Sequence, residues 1–200
     1  MTQPWQPVLD WWFGPGKTAA EVSARQLPLW FGKRASQDAE AQQRFGHLVE
    51  QALSGQLPEW SATPDGWLAH ILLLDQLPRM IYRDTPKAFA GDRLSQPLLR
   101  MGLEKGWDQQ LKPIQRLFTY LVYEHAENLV LQDQAVELFE KLLAQVPPEE
   151  HELFAGYLDY AERHQRVIAR FGRFPHRNQI LGRTSNAQES AFLQEPGSSF

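Results

Sequence analysis

Arg163-His164-Gln165-Arg166-Val167-Ile168-Ala169-Arg170-Phe171-Gly172-Arg173-Phe174-Pro175-His176-Arg177-Asn178 runs on to Ile180-Leu181-Gly182-Arg183. Between 163 and 183 stand six arginines and two histidines, and no acidic residue appears before Glu189. Ile168, Phe171, Phe174 and Ile180 are threaded through the charges, so this is no solvated basic tail. The segment must bury those side chains and still find partners for its guanidinium groups. Just upstream, Tyr157, Ala161, His164, Ile168 and Phe171 recur at spacings of four and three, the period of an α-helix. Gly172 is a natural C-cap for it. A long helix from about Glu149 to Phe171 is therefore expected, with the arginine segment docked against the protein body.

Working outward, the same period recurs elsewhere. Val8, Leu9, Trp11, Trp12 and Phe13 form an apolar first helix that stops at Gly14-Pro15-Gly16. Gly14-Pro15-Gly16-Lys17-Thr18 looks like the end of a phosphate-binding loop, but that motif needs a glycine where Trp11 stands and a strand before it. It reads as a helix-terminating turn. Phe45, Leu48, Val49, Ala52 and Leu53 lie on one helix from Gln37 to Ser54. Thr63-Pro64 is an N-cap followed by proline at the first helical position. The helix it opens presents Leu68, Ile71, Leu72 and Asp75 as a stripe, and Pro78 is expected to bend or end it. Thr85-Pro86 repeats the start signal for a helix ending near Gly106. Pro113 opens another, with Ile114, Leu117, Phe118 and Leu121 on one face, and Leu129, Val136, Phe139 and Leu143 continue after a break near His125. A short last helix starts at Ser185 or Asn186, both of which fit a capping box.

No stretch alternates with period two. The expected fold is all-α: seven to nine helices in antiparallel pairs, a bundle or short solenoid, with residues 1–195 as one domain and 196–200 as a frayed tail. Residues 1–162 carry 14 basic and 22 acidic side chains, a net of −8, while residues 163–200 carry six arginines against two glutamates, a net of +4. The basic segment thus has an acidic body to dock on, which argues against nucleic acid as its partner. There is no cysteine, which removes disulfides and thiolate chemistry. No signal peptide and no apolar run of membrane-spanning length appear, so a cytoplasmic protein is expected.

Three apolar stripes turn polar at one end. Leu68, Ile71 and Leu72 lead into Asp75 and Arg79. Ile114, Leu117, Phe118 and Leu121 lead into Glu124, His125 and Asn128. His164 sits on the buried side between Ala161 and Ile168, with Arg170, Arg173 and Arg177 following. Buried ionisable groups are costly unless paired, so these residues are expected to meet where the helices converge. Candidate pairings are Asp75 with Arg79, Glu124 or Glu127 with Arg170 or Arg173, and His125 with His164. His125-Ala126-Glu127 and Glu162-Arg163-His164 lack the spacing of a di-iron or zinc site, and no metal or other cofactor is expected.

These residues also carry a resemblance. Asp75-Gln76-Leu77-Pro78-Arg79, with Tyr82-Arg83 and Ala88-Phe89-Ala90-Gly91-Asp92, resembles a first block of the bacterial family catalogued as domain of unknown function 924. Phe118-Thr119-Tyr120-Leu121, His125-Ala126-Glu127 and Gln132 resemble a second. Arg170 to Asn178, with Leu181-Gly182-Arg183 and Phe192-Leu193, resembles the third and most specific. Val8 to Gly14 and Trp30-Phe31 fit as well. The resemblance implies an all-helical, tetratricopeptide-repeat-like fold and no established activity. The chain departs from the family pattern at Val122-Tyr123, where Pro-Phe is usual, at Ala126 (usually Ser) and at Asn128 (usually Asp).

Two functions follow as expectations. In the first, the cluster binds a small anion such as a phosphate, a carboxylate or an acidic peptide. Arg79, Arg170, Arg173 and Arg177 hold its charge, Asp75 and Glu127 orient them, and His125 and His164 carry protons, with hydrolysis as the favoured chemistry. In the second, the protein is a non-catalytic helical scaffold with a protein partner, and the cluster is structural.

Overall fold

A computed structural model describes residues 3–198. Among them there is no strand, and the α-helices are α1 (Gln6–Phe13), α2 (Ala19–Phe31), α3 (Ala35–Leu53), α4 (Pro64–Leu74), α5 (Gln76–Ile81), α6 (Asp92–Glu104), α7 (Pro113–Glu124), α8 (Leu129–Gln145), α9 (His151–Phe171) and α10 (Ala187–Phe192). Only Asp75 separates α4 from α5, so the two are one interrupted helix and the described residues hold nine in all. The all-α expectation is met.

Two helices make the centre. Every residue of α4 from Gly66 to Leu74 is buried, as is every residue of α7 from Arg116 to Glu124. A helix buried all round belongs in the interior, and the partly polar ones wrap it. Where α1, α2 and α7 meet, Trp12, Phe13, Trp30 and Phe118 pack edge to face, with 4.6 Å between the Trp30 and Phe118 centroids. Side-chain contacts fix the helix directions. Arg116 at the start of α7 bonds Gln145 at the end of α8, and Gln132 near the start of α8 bonds the Glu124 carbonyl at the end of α7. Gln165 of α9 likewise reaches back to Asp133 of α8. Thus α7, α8 and α9 run in alternating directions, joined by short turns. A smaller apolar cluster of Val167, Ile168 and Phe174, with Phe171 and Phe192 against it, stands apart from the main core.

Local signals explain most boundaries. The Thr63 hydroxyl accepts from Gly66 N, and Asn186, rather than Ser185, makes the last capping box, with Glu189. Gly172 takes the left-handed conformation that ends α9. Thr18, in the string that resembles a phosphate loop, caps α2 by accepting from Glu21 N. The sequence reading had no helix over α2, whose period is broken by Pro28. Two boundaries differ from expectation. Thr85-Pro86 opens only a short 3-10 turn, Pro86–Phe89, and α6 begins at Asp92. Pro78 lies inside α5, and the interruption falls three residues before it, at Asp75. Of the tail expected to fray from Pro196, Ser199 and Phe200 lie outside the described residues; Ser198 is buried, and its hydroxyl donates to the Leu193 carbonyl.

Gly91 sets how closely α6 approaches α4. A Cβ built there would stand 1.9 Å from the Leu74 carbonyl oxygen, a backbone atom that cannot swing aside. Gly91 therefore brings the next residue, Asp92, in against the end of α4. Gly91→Ala is expected to destabilise the protein by about 1–3 kcal/mol through overpacking, read as a lower urea midpoint. A change of under a few tenths would show that α6 gives way easily.

Candidate acid-base site

The break in α4 places a carboxylate in the interior. Asp75 has no exposed surface. Its oxygens lie 3.0 and 2.9 Å from His125 Nδ1, Gln76 Nε2 donates to it at 2.6 Å, and an Arg79 guanidinium nitrogen stands at 3.2 Å. Arg79 also donates to the Asp75 backbone carbonyl, so one side chain holds both the carboxylate and the backbone of the interrupting residue. Burial pushes the Asp75 carboxyl up, but Arg79 and His125 outweigh it and hold the group well below the usual carboxylate range. Asp75 is ionised.

An ionised partner on Nδ1 makes that nitrogen the donor, which leaves Nε2 of a neutral His125 as the acceptor. His125 caps α7, and a single side chain secures its turn: Gln132 Nε2 donates to the carbonyls of Glu124 at 2.6 Å and Ala126 at 2.8 Å. Burial lowers the His125 pKa, Asp75 opposes that, and Arg79 adds to it; the net direction is down. His125 is thus an unprotonated base at neutral pH.

One residue earlier, Glu124 is buried against α9. Its Oε1 is 3.1 Å from His164 Nδ1, whose own hydrogen bond goes to the Tyr160 carbonyl at 2.8 Å. Its Oε2 is buried with no hydrogen-bond partner among the described residues. Burial first, and the negative Asp75 second, push Glu124 up to about 8. Burial likewise drives His164 down to about 3, with His125, Arg177 and His176 adding to the fall. Both shifts favour the uncharged forms of this close pair. The His125 and His164 rings meet, with centroids 6.3 Å apart.

The cations arrive from two directions. Arg79 donates to Asp92 at 2.9 Å. Arg177, in the segment after α9, reaches the other Asp92 oxygen at 3.4 Å and lies between the faces of Phe89 and Phe174, 4.7 and 4.5 Å from their centroids. Its Nε is buried without a hydrogen-bond partner among the described residues. Burial, then the neighbouring Arg79, lower Arg177 to about 10, which still leaves it a cation at pH 7.

The other expected ligands of charge lie elsewhere. Glu127 accepts from Arg183 at 2.6 and 2.8 Å and from the Phe174 backbone N–H, and so ties down the segment that carries Arg177 rather than pairing with Arg170 or Arg173. Arg173 is held by both Glu189 oxygens and the Thr184 carbonyl. Arg170 is exposed and stacks over Phe171 and Phe192. The structure therefore brings together Asp75, Arg79, His125, His164 and Arg177, and leaves out Arg170 and Arg173.

The chain matches the model of a family described as "Bacterial protein of unknown function (DUF924)" over residues 8–197. It belongs to that family. The DUF924 fold is seen again in a solved structure, that of the protein of unknown function ATU0120 from Agrobacterium tumefaciens. That chain is 31% identical, with a TM-score of 0.79 over 95% of this chain and 96% of the other. No curated protein matches. In this DUF924 chain the three sequence blocks that carry the resemblance all send side chains to one place. The first supplies Asp75, Arg79 and Asp92, the second His125 and Gln132, the third Phe174 and Arg177.

In the sequence Glu124 appears only as a possible partner of Arg170 or Arg173, and Phe89, Asp92 and Gln132 only as members of the resembling blocks, with no role at the site. Glu124 had a signal: it precedes His125 on a stripe whose other members are apolar. No group of three His, Asp or Glu among the described residues is placed to hold a metal ion, and no helix there is long and apolar enough to cross a membrane. Two clefts lie elsewhere, the first mainly polar and the second of mixed polar and apolar lining. The first holds Asp10, Asp65, Lys112 and Gln115, the second Gln96, Arg100, Tyr123 and Gln134.

Proposed function

We propose that this site binds a small anion of single negative charge, a carboxylate before all others, through Arg177, and that His125 takes up a proton beside it. The observation that carries the reading is the condition of Arg177. It is buried between two rings, with one long contact to Asp92 and an unmatched Nε. A buried guanidinium donor left unmatched costs free energy that an oxyanion ligand would recover.

Charge decides the kind of anion. Asp75 and Asp92 offset Arg79 and Arg177, while Glu124, His125 and His164 are neutral at pH 7, so the group is balanced. One added charge, set on Arg177, leaves the smaller excess, and two would double it in a low-dielectric interior. Beside the anion, an Asp-oriented imidazole is a competent general base toward water. Hydrolysis of a bond near the ligand's carboxylate is the chemistry this favours. The scaffold reading calls for a long apolar groove, which the polar lining of the first cleft does not supply.

The test is a thermal-shift and calorimetric series with acetate, inorganic phosphate and a short acidic peptide. Acetate at 100 times its Kd should add about 2.7 kcal/mol of stability. Arg177→Met should abolish the effect, and Arg177→Lys, which keeps the charge but loses the fork, should weaken it. An equal response in folded Arg177→Met, or none in the wild type, would remove Arg177 as the ligand site.

A further inference from the structure

We propose that Glu124 is the proton donor of this site: its carboxyl is un-ionised at neutral pH, with the proton on Oε2, and the bound ligand accepts that proton as a hydrogen bond. The inference deepens the anion-binding reading and rests on it. Two facts of geometry carry it. Oε1 lies 3.1 Å from His164 Nδ1, whose hydrogen goes to the Tyr160 carbonyl and which therefore has no lone pair to take a proton from Oε1, so the proton belongs on the other oxygen. That oxygen is buried and has no acceptor among the described residues. An ionised carboxylate in this position would hold a full buried charge with one oxygen unpartnered, which an interior does not tolerate.

The groups around it agree. Asp75 and Arg79 face the cluster from the interrupted helix, His125 from Glu124's own helix, His164 and the Tyr160 carbonyl from α9, and His176 and Arg177 from the segment beyond. Asp75 is anionic and disfavours a second anion, and neither His164 nor His176 is charged at pH 7 to favour one. Glu124 and His125 are thus adjacent residues on one turn with opposite tasks, a neutral acid and a neutral base, because their surroundings differ.

That pairing fits hydrolysis of an ester or amide that bears a carboxylate. Water gives a proton to His125 Nε2 as its oxygen bonds to the carbonyl carbon. The bond from that carbon to the leaving oxygen or nitrogen breaks, and the leaving atom takes the Glu124 proton. His125 is left protonated and Glu124 ionised; one proton lost by the first to solvent and one gained by the second restore both.

Difference infrared spectroscopy of the wild type against Glu124→Gln tests the proposal. At pH 7 the wild type should show the carbonyl stretch of a protonated carboxylic acid, absent from the variant and titrating near pH 8. Acetate should shift that band in the wild type, and in Arg177→Met the band should persist but no longer respond. Absence of the band at pH 7 overturns the assignment whatever acetate does. A band unmoved while calorimetry shows acetate bound overturns the donor role alone. A band present with no acetate bound at all shows instead that the anion reading has failed, and the donor role falls with it.

Discussion

Asp75→Ala is expected to destabilise the protein by about 3–5 kcal/mol, the range for breaking a buried ion pair by removing one partner. The deletion leaves Arg79 facing the interior with Asp92 as its remaining carboxylate, and strips the acceptor from Gln76 and from His125 Nδ1. Desolvation makes such orphaned donors expensive, whereas the original pair contributes little beyond offsetting its own burial. Asp75→Asn should fall between, because it keeps the shape and one acceptor but loses the charge. The measurement is urea unfolding with unchanged m and a lowered midpoint. A loss below 1 kcal/mol would mean that water or a shifted Arg79 relieves the site and that Asp75 does not organise it.

Glu124→Gln should change how stability depends on pH. Burial and Asp75 raise the folded carboxyl to about 8, whereas an unfolded glutamate titrates near 4.5. Between those values the folded chain binds the proton and the unfolded chain does not, so wild-type stability falls as pH rises through that window. The slope approaches about 1.4 kcal/mol per pH unit for one fully linked proton. The variant lacks this term and should gain on the wild type steadily from pH 5 to 8, with the difference closing in acid. His164 acts with the opposite sign: neutral when folded down to about 3, it costs stability as pH falls from 6.5 toward that value, in both proteins alike. Parallel melting curves for the two proteins from pH 5 to 8 would show that Glu124 is ionised or exposed.

What could be read in the sequence was local or periodic. Thr63-Pro64, Gly172 and the Asn186 capping box act within one turn of chain, and the stripes of α4, α7 and α9 are visible because the helical period is short. His125 and His164 are legible as candidate neighbours because each interrupts an apolar stripe, and their ring centroids lie 6.3 Å apart. The arginines were harder. Arg79, Arg173 and Arg177 look alike in sequence, and what separates them is whether an acid from elsewhere reaches them. Glu189 takes Arg173 from within the C-terminal segment, while Phe89 and Asp92 reach Arg177 across 88 and 85 positions. Asp92 itself reads as an ordinary first-turn acid of α6. Only the close approach at Gly91, a backbone fact, makes it part of the site.

The span between Asp92 and Arg177 has a consequence in time. Translation at about 5–20 residues per second needs roughly 4–17 s to make the stretch between them. For those seconds Asp92 on the nascent chain has Arg79 but not Arg177, and for part of them Glu127 lacks Arg183. The helices before α9 must collapse around a notch that the Arg177 segment has not yet closed. A ribosome slowed between Phe171 and Arg183 would lengthen that open interval, so codon choice over a dozen positions is a lever on how cleanly the newborn protein assembles.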